Sequence, residues 1–157
     1  MPTRMLQNSH FMKGLDPVAD AFAGTVGSDV VNFANYHSIV FVIYKGVGTT
    51  GTSTITVEAC DDTTPSNTTA IPFRYKAITS GDTEGALTAA TTSGFTTTAG
   101  SSQLYLIEVD QQEMGDTGYD YVRLKAVESA DDPVLGGVLI IGNGARYAQD
   151  VPATAIT

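Results

Sequence analysis

The feature that most constrains this chain is a series of short apolar segments with the period of a strand and no helical segment between them. The run Ile39-Val40-Phe41-Val42-Ile43-Tyr44 is continuous, rich in β-branched residues and too short for a helix, so it predicts a strand covered on both faces. Thr54-Ile55-Thr56-Val57-Glu58-Ala59 alternates strictly, with Ile55, Val57 and Ala59 turned inward. A hairpin across the glycine-rich loop 46–51 is expected to join these two strands. Residues 71–79 predict a strand with Phe73, Tyr75 and Ala77 on one face and Arg74, Lys76 and Ile78 on the other. A weak strand anchored by Phe95 is expected within 94–98, and a firm one with mixed faces over 103–110. In the segment from Tyr121 to Val127, Val122, Leu124 and Ala126 form the expected inner face. Val138-Leu139-Ile140-Ile141 is the last apolar run, closed by an Asn143-Gly144 turn. About seven or eight short strands with no intervening helix predict an all-β fold. The expected form is a single antiparallel β-sandwich or a jelly-roll-like barrel.

The chain has 157 residues, enough for one domain with one core. We divide it into an extended N-terminal arm (1–28), the sandwich (29–148) and a C-terminal tail (149–157). The arm offers at most one or two turns of helix, with Asp16 as N-cap and Pro17 in the first helical position, stopped by Gly24 and Gly27. Its apolar residues lack the period that would dock them on their own sheet, and left in water they would form an exposed patch. Met5, Leu6, Phe11, Met12, Leu15 and Phe22 are therefore candidate interface residues. The alternative is that the arm folds back over one end of its own sandwich.

Seventeen acidic residues against eight Lys and Arg give a net charge of −9, which argues against binding nucleic acid or an anionic membrane. Cys60 is the only cysteine, so no disulfide forms within the chain. The N-terminal region reads as no signal peptide, and no segment approaches the length of a membrane-spanning helix.

The motifs carry little chemistry. Gly46-Val47-Gly48-Thr49-Thr50-Gly51 matches a dinucleotide loop, but a strand follows where the pyrophosphate needs a helix. Cys60 stands beside Asp61 and Asp62, the wrong surroundings for a reactive thiolate. His10 and His37 have no metal-ligand spacing. Asp110, Glu113, Asp116 and Asp120 fall in one loop; they read as solvated acids, with Ca²⁺ as the functional alternative. Asn67-Thr68-Thr69 is a formal glycosylation sequon, and Asp61-Asp62 and Asp131-Asp132 read as turn formers. Tyr105, Tyr119, Tyr121 and Tyr147 suit sugar stacking as well as half-buried strands. No catalytic, cofactor or metal residue is assigned, and an enzyme is not expected.

The stretches Gly118-Tyr119-Asp120-Tyr121-Val122-Arg123-Leu124-Lys125, Ser129-Ala130-Asp131-Asp132-Pro133-Val134-Leu135-Gly136-Gly137 and Val138-Leu139-Ile140-Ile141-Gly142-Asn143-Gly144-Ala145-Arg146-Tyr147 resemble small structural proteins of tailed bacteriophages. The stretch from Thr54 to Asp62 resembles them too, so the likeness spans about 32–147. It is closest in style to capsid decoration (cement) proteins. The resemblance implies a β-rich, jelly-roll-like fold, a dimer or trimer, the major capsid protein as partner and a place on the capsid exterior. It supplies no catalytic residue or cofactor. The alternatives are a carbohydrate- or host-surface-binding β-sandwich module and another head or tail component.

Overall fold

The structure is a computed structural model that describes residues 4–145. A four-residue helix, α1 (Met5–Asn8), precedes β1 (Ser9–Val18), β2 (Thr25–Gly27) and β3 (Val31–Asn32). A 3-10 turn (Phe33–Asn35) leads into β4 (Tyr36–Lys45), followed by β5 (Thr52–Cys60), β6 (Thr68–Ile71), β7 (Phe73–Ile78), β8 (Thr88–Ala90) and β9 (Phe95–Thr96). Then come β10 (Gln103–Asp110), a second short helix α2 (Gln111–Met114), β11 (Tyr121–Ala130) and β12 (Gly136–Ala145).

Every strand pair is antiparallel, and the pairs nest as one long hairpin. β1 pairs with β12, β2 with β11, β4 with β10 and β5 with β6. Rolling that hairpin sets β4 beside β12 and β5 beside β11. The result is sheet A, in the order β1-β12-β4-β10-β7-β8, and sheet B, built on β2-β11-β5-β6 with β3 on β11 and β9 on β5. This is jelly-roll wrapping, with β7, β8 and β9 inserted before β10. The chain is thus an all-β sandwich of the expected class.

The core lies between the sheets. Ile39, Phe41, Ile43, Tyr105, Ile107 and Ile140 of sheet A meet Ile55, Val57, Ala59, Val122, Leu124 and Ala126 of sheet B, all essentially sealed from water. The inner faces read for β5 and β11 are therefore the observed ones. Phe95 anchors its region as expected, stacking on Tyr75 at 4.0 Å and meeting Phe73 and Tyr105. β10 has cleaner faces than expected: Gln103, Tyr105, Ile107 and Val109 are all buried.

Four expectations are corrected. The first concerns loop 46–51, which makes no hairpin, because β4 and β5 lie in different sheets. It is a crossing between sheets, held where Gly46 N–H donates to the Leu135 carbonyl and Leu135 N–H to the Val47 carbonyl. Asp132 anchors it further, accepting from the Thr49 hydroxyl and the Thr50 N–H.

The second is the arm. Residues 9–18 form strand β1 at the edge of sheet A, so the sandwich begins at Ser9 rather than at 29. No helix starts at Asp16, because Asp16 and Pro17 lie inside that strand. Met12 and Phe22 are only 5% and 4% exposed and belong to their own core, and Leu15 packs against it. The fold-back alternative describes these residues. Met5 and Leu6, 60% and 79% exposed, remain outside in α1.

The third is the Asn143-Gly144 turn. Both residues lie within β12, where Asn143 pairs with Ser38 and Ala145 with Tyr36. Gly144 keeps that register opposite His37, with φ of +62°, a left-handed conformation that glycine adopts without strain.

The fourth is the expected strand over 71–79. Pro72 divides it into the end of β6 in sheet B and β7 in sheet A.

A candidate interaction face on sheet A

The two sheets present opposite characters to the outside. On sheet B, Thr54 of β5 exchanges hydroxyl hydrogen bonds with Thr96 and Ser129. Glu58, nearly buried, accepts from Arg123 at 2.8 and 3.0 Å and from Lys125 at 2.9 Å. Burial raises the Glu58 carboxyl, but these cationic donors outweigh it and hold it below the usual range. This face is polar and its charges are paired.

Sheet A differs. Its central strands β12, β4 and β10 are apolar on both faces, so the outward residues form an apolar field. The registers lay it out in rows across the sheet. One row is Phe11, Ile141, Val40, Glu108 and Arg74. The next is Lys13, Leu139, Val42, Leu106 and Lys76. The third is Gly137, Tyr44, Leu104 and Ile78. Val40, Val42, Leu104, Leu106 and Ile141 are half-buried by their neighbours, while Leu139 is 40% and Tyr44 63% exposed. The expectation that the Ile39–Tyr44 run is covered on both sides therefore holds only for its inner side in the single chain.

Over the third row the face deepens into a trough of about 960 Å³. Val42, Leu104 and Leu139 are on its floor, Leu15 and Pro17 on one side, and Ile78, Asp82 and Glu84 on the other. Tyr44 and Lys13 also line it. An open apolar patch of this kind is the surface typical of protein–protein contacts and of ligand-binding grooves.

The other residues singled out by the sequence are spent on structure. Cys60 is fully buried, its Sγ 3.6 Å from the Glu58 carbonyl, and burial pushes the thiol up to about 11. Such a thiol is not a nucleophile at neutral pH. His10 Nδ1 lies 2.7 Å from the Tyr36 hydroxyl, and the His37 ring covers Gly144. Asp110 and Glu113 form the capping box of α2. Burial raises both carboxyls, and hydrogen bonds from Glu113 and the helix N–H groups bring Asp110 back below its usual range. Among the described residues, no three His, Cys, Asp or Glu groups stand together as a cation site. Asp61 ties its own loop through Asn67, whose side-chain amide donates to it at 2.9 Å, and that bond first of all lowers its carboxyl. Tyr105 is inside, donating to Gln103 and accepting from Thr98 N–H. Tyr119 and Tyr121 are half-buried, and Tyr147 lies outside the described residues.

Sequence reasoning missed two things. One is Lys45, buried with its Nζ donating to the Gly51 carbonyl at 3.2 Å and the Thr98 carbonyl at 2.7 Å. Burial lowers its pKa. The inward series Ile39, Phe41, Ile43 extends to it and was the available signal. The other is the outer face itself, whose signal was three strands apolar at consecutive positions.

No family model and no curated protein matches the sequence. Among solved structures, the chain is similar to the SPBc2 prophage-derived protein YomS, with a TM-score of 0.47 and 12% identity over 86% of this chain and 92% of that one. It also aligns with a structure of infectious bursal disease virus, Gx strain, with a TM-score of 0.23 and 13% identity over 86% of this chain and 40% of that one. At these scores neither likeness carries an argument about activity.

Proposed function

We propose that this chain is a virion structural protein of a tailed bacteriophage, a decoration (cement) protein that binds the outside of the capsid shell and stabilises it. The observation that carries the reading is the two-sidedness of the jelly roll: sheet B is polar and charge-paired, whereas sheet A is apolar across three adjacent strands. A protein that works by lying against neighbours needs such a face and a rigid fold behind it. The resemblance over about 32–147 supplies the class. The net charge of −9 suits a place away from packaged DNA. On this reading the partners are the major capsid protein and further copies of the chain, with no nucleic acid, membrane, cofactor or catalysis. The protein is made in the host cytoplasm and ends on the virion exterior.

Jelly rolls serve lectins as well as virus shells, so the fold alone does not choose. The trough gives the second reading, carbohydrate binding, a specific basis: Tyr44 stands open beside Asp16, Asp82 and Glu84. Its floor of Val42, Leu104 and Leu139 offers no hydrogen-bond partner to sugar hydroxyls, which favours a protein surface. Adding the purified chain to shells that lack it tests the choice. Saturable binding and a higher shell-opening temperature are expected. A chain that leaves shells bare and unaltered yet is retained on polysaccharide would transfer the case to the second reading.

A further inference from the structure

We infer that the outer face of sheet A is the contact between two copies of this chain, packed face to face about a two-fold axis. The inference rests on the assembly role proposed above and names the partner of that face.

The first argument is area. Five strands about 4.8 Å apart and three outward rows about 6.8 Å apart make a face on the order of 500 Å². Two such faces, with Leu15, Pro17 and Leu135 around the trough, approach the roughly 1,200–2,000 Å² of stable interfaces.

The second argument is charge. A chain of net charge −9 repels its own copies over most of its surface. The sheet A face is the exception, because Lys13, Arg74 and Lys76 stand there against Asp16, Asp82, Glu84 and Glu108, with Lys76 bridged to Glu84 at 2.7 Å and Arg74 lying 3.9 Å from Glu113 within the chain. Lys45 is buried, and Arg123 and Lys125 are already paired with Glu58 on sheet B. The face is thus nearly balanced and carries both signs, as an isologous contact requires.

The third argument is that the sheet edges are blunted. β1 has register shifts between Lys13 and Leu15 and between Leu15 and Val18, with Pro17 among them. β8, at the other edge, is three residues long. Such edges resist strand addition, which leaves the face for association. On that face Tyr44 is a projection and the trough beside it a recess. Two-fold pairing sets each Tyr44 against the recess of the other copy.

Sedimentation of the full chain over a range of concentrations tests this without any shell present. A dimer that dissociates on dilution is expected, with Tyr44→Lys and Leu139→Lys each weakening it by about 30-fold or more. Val127→Lys, on the exposed outer side of sheet B, leaves it unchanged. Hydroxyl-radical footprinting of the unsubstituted chain gives a readout that no folding defect can mimic: oxidation of Tyr44 falls with concentration and that of Tyr121 does not. A chain that stays monomeric, or dimers that persist in both face variants, overturns the inference. If the monomeric chain binds shells and the face variants do not, the face belongs to the shell and the cement reading survives alone. If dimers form through this face but shells never bind the chain, the dimer stands and the cement reading falls.

Discussion

Glu58 shows how a single residue sets the character of sheet B. It accepts from both Arg123 and Lys125, and its side chain is only 9% exposed while theirs are 26% and 34%. Replacing it by Gln breaks both charge-assisted bonds but leaves the cations partly in water, so we expect a loss of roughly 1–2 kcal/mol at neutral pH. The carboxyl is held below its ordinary value of 4.5, so its contribution is complete above that pH and disappears as pH falls through the lower folded value. Urea unfolding of both proteins should give a stability gap that closes below pH 4.5; a gap constant down to strong acid would remove Glu58 from this role. Gly94 is the sharpest backbone constraint. Its φ is +70°, and an added Cβ would lie 1.8 Å from the Ile55 carbonyl, where β9 joins β5. Gly94→Ala should cost roughly 2–4 kcal/mol in denaturant midpoint terms, combining strain with overpacking. Residues whose role follows from period were legible: Ile55, Val57, Ala59, Val122, Leu124 and Ala126 are where alternation put them. Gly94 and Lys45 were not, because the atoms that constrain them come from segments distant in sequence.

At the scale of elements, β1 is the instructive case. Its apolar residues serve two faces, Met12 inward and Phe11 outward, and bulges after Lys13 and Leu15 shift the phase. No single period survives, which is why the segment read as an arm. The same two-sidedness made β4 and β12 easy to find as strands while hiding which side stays open. β8 and β9, three and two residues long, fall below the length at which alternation can be read, though Phe95 still marked the second. The loop 46–51 looked like a hairpin because local sequence does not record which sheet a strand joins. Truncation tests the placement of β1. Removing residues 1–8 deletes only α1 and what precedes it, with no buried side chain among the described residues lost, and should change stability by less than about 0.5 kcal/mol. Removing residues 1–28 deletes β1, β2, Met12 and Phe22. At roughly 2–5 kcal/mol for each large core side chain, it should leave a chain without a cooperative unfolding transition. A 29–157 fragment that melts like the full chain would contradict the fold-back of β1.

The whole molecule is a jelly roll with one wet side and one apolar side, and that asymmetry is the basis of the functional account. The fold class was legible because strand period and the absence of helices are local. The nested pairing of β1 with β12, β2 with β11 and β4 with β10 was not, since it joins residues far apart in the chain. The candidate site was legible only in part: Phe11 was named for an interface and lies on the face, but Tyr44 and Leu139 gained their meaning from the sheet that sets them side by side. An interaction face of this size is useful to a shell only if it is used many times over. Quantitative mass spectrometry of purified particles therefore tests the central claim most directly. The account predicts many copies of the chain, about one for each major capsid protein subunit, as a protein that coats the shell would show; a handful of copies per particle, or none, would contradict it.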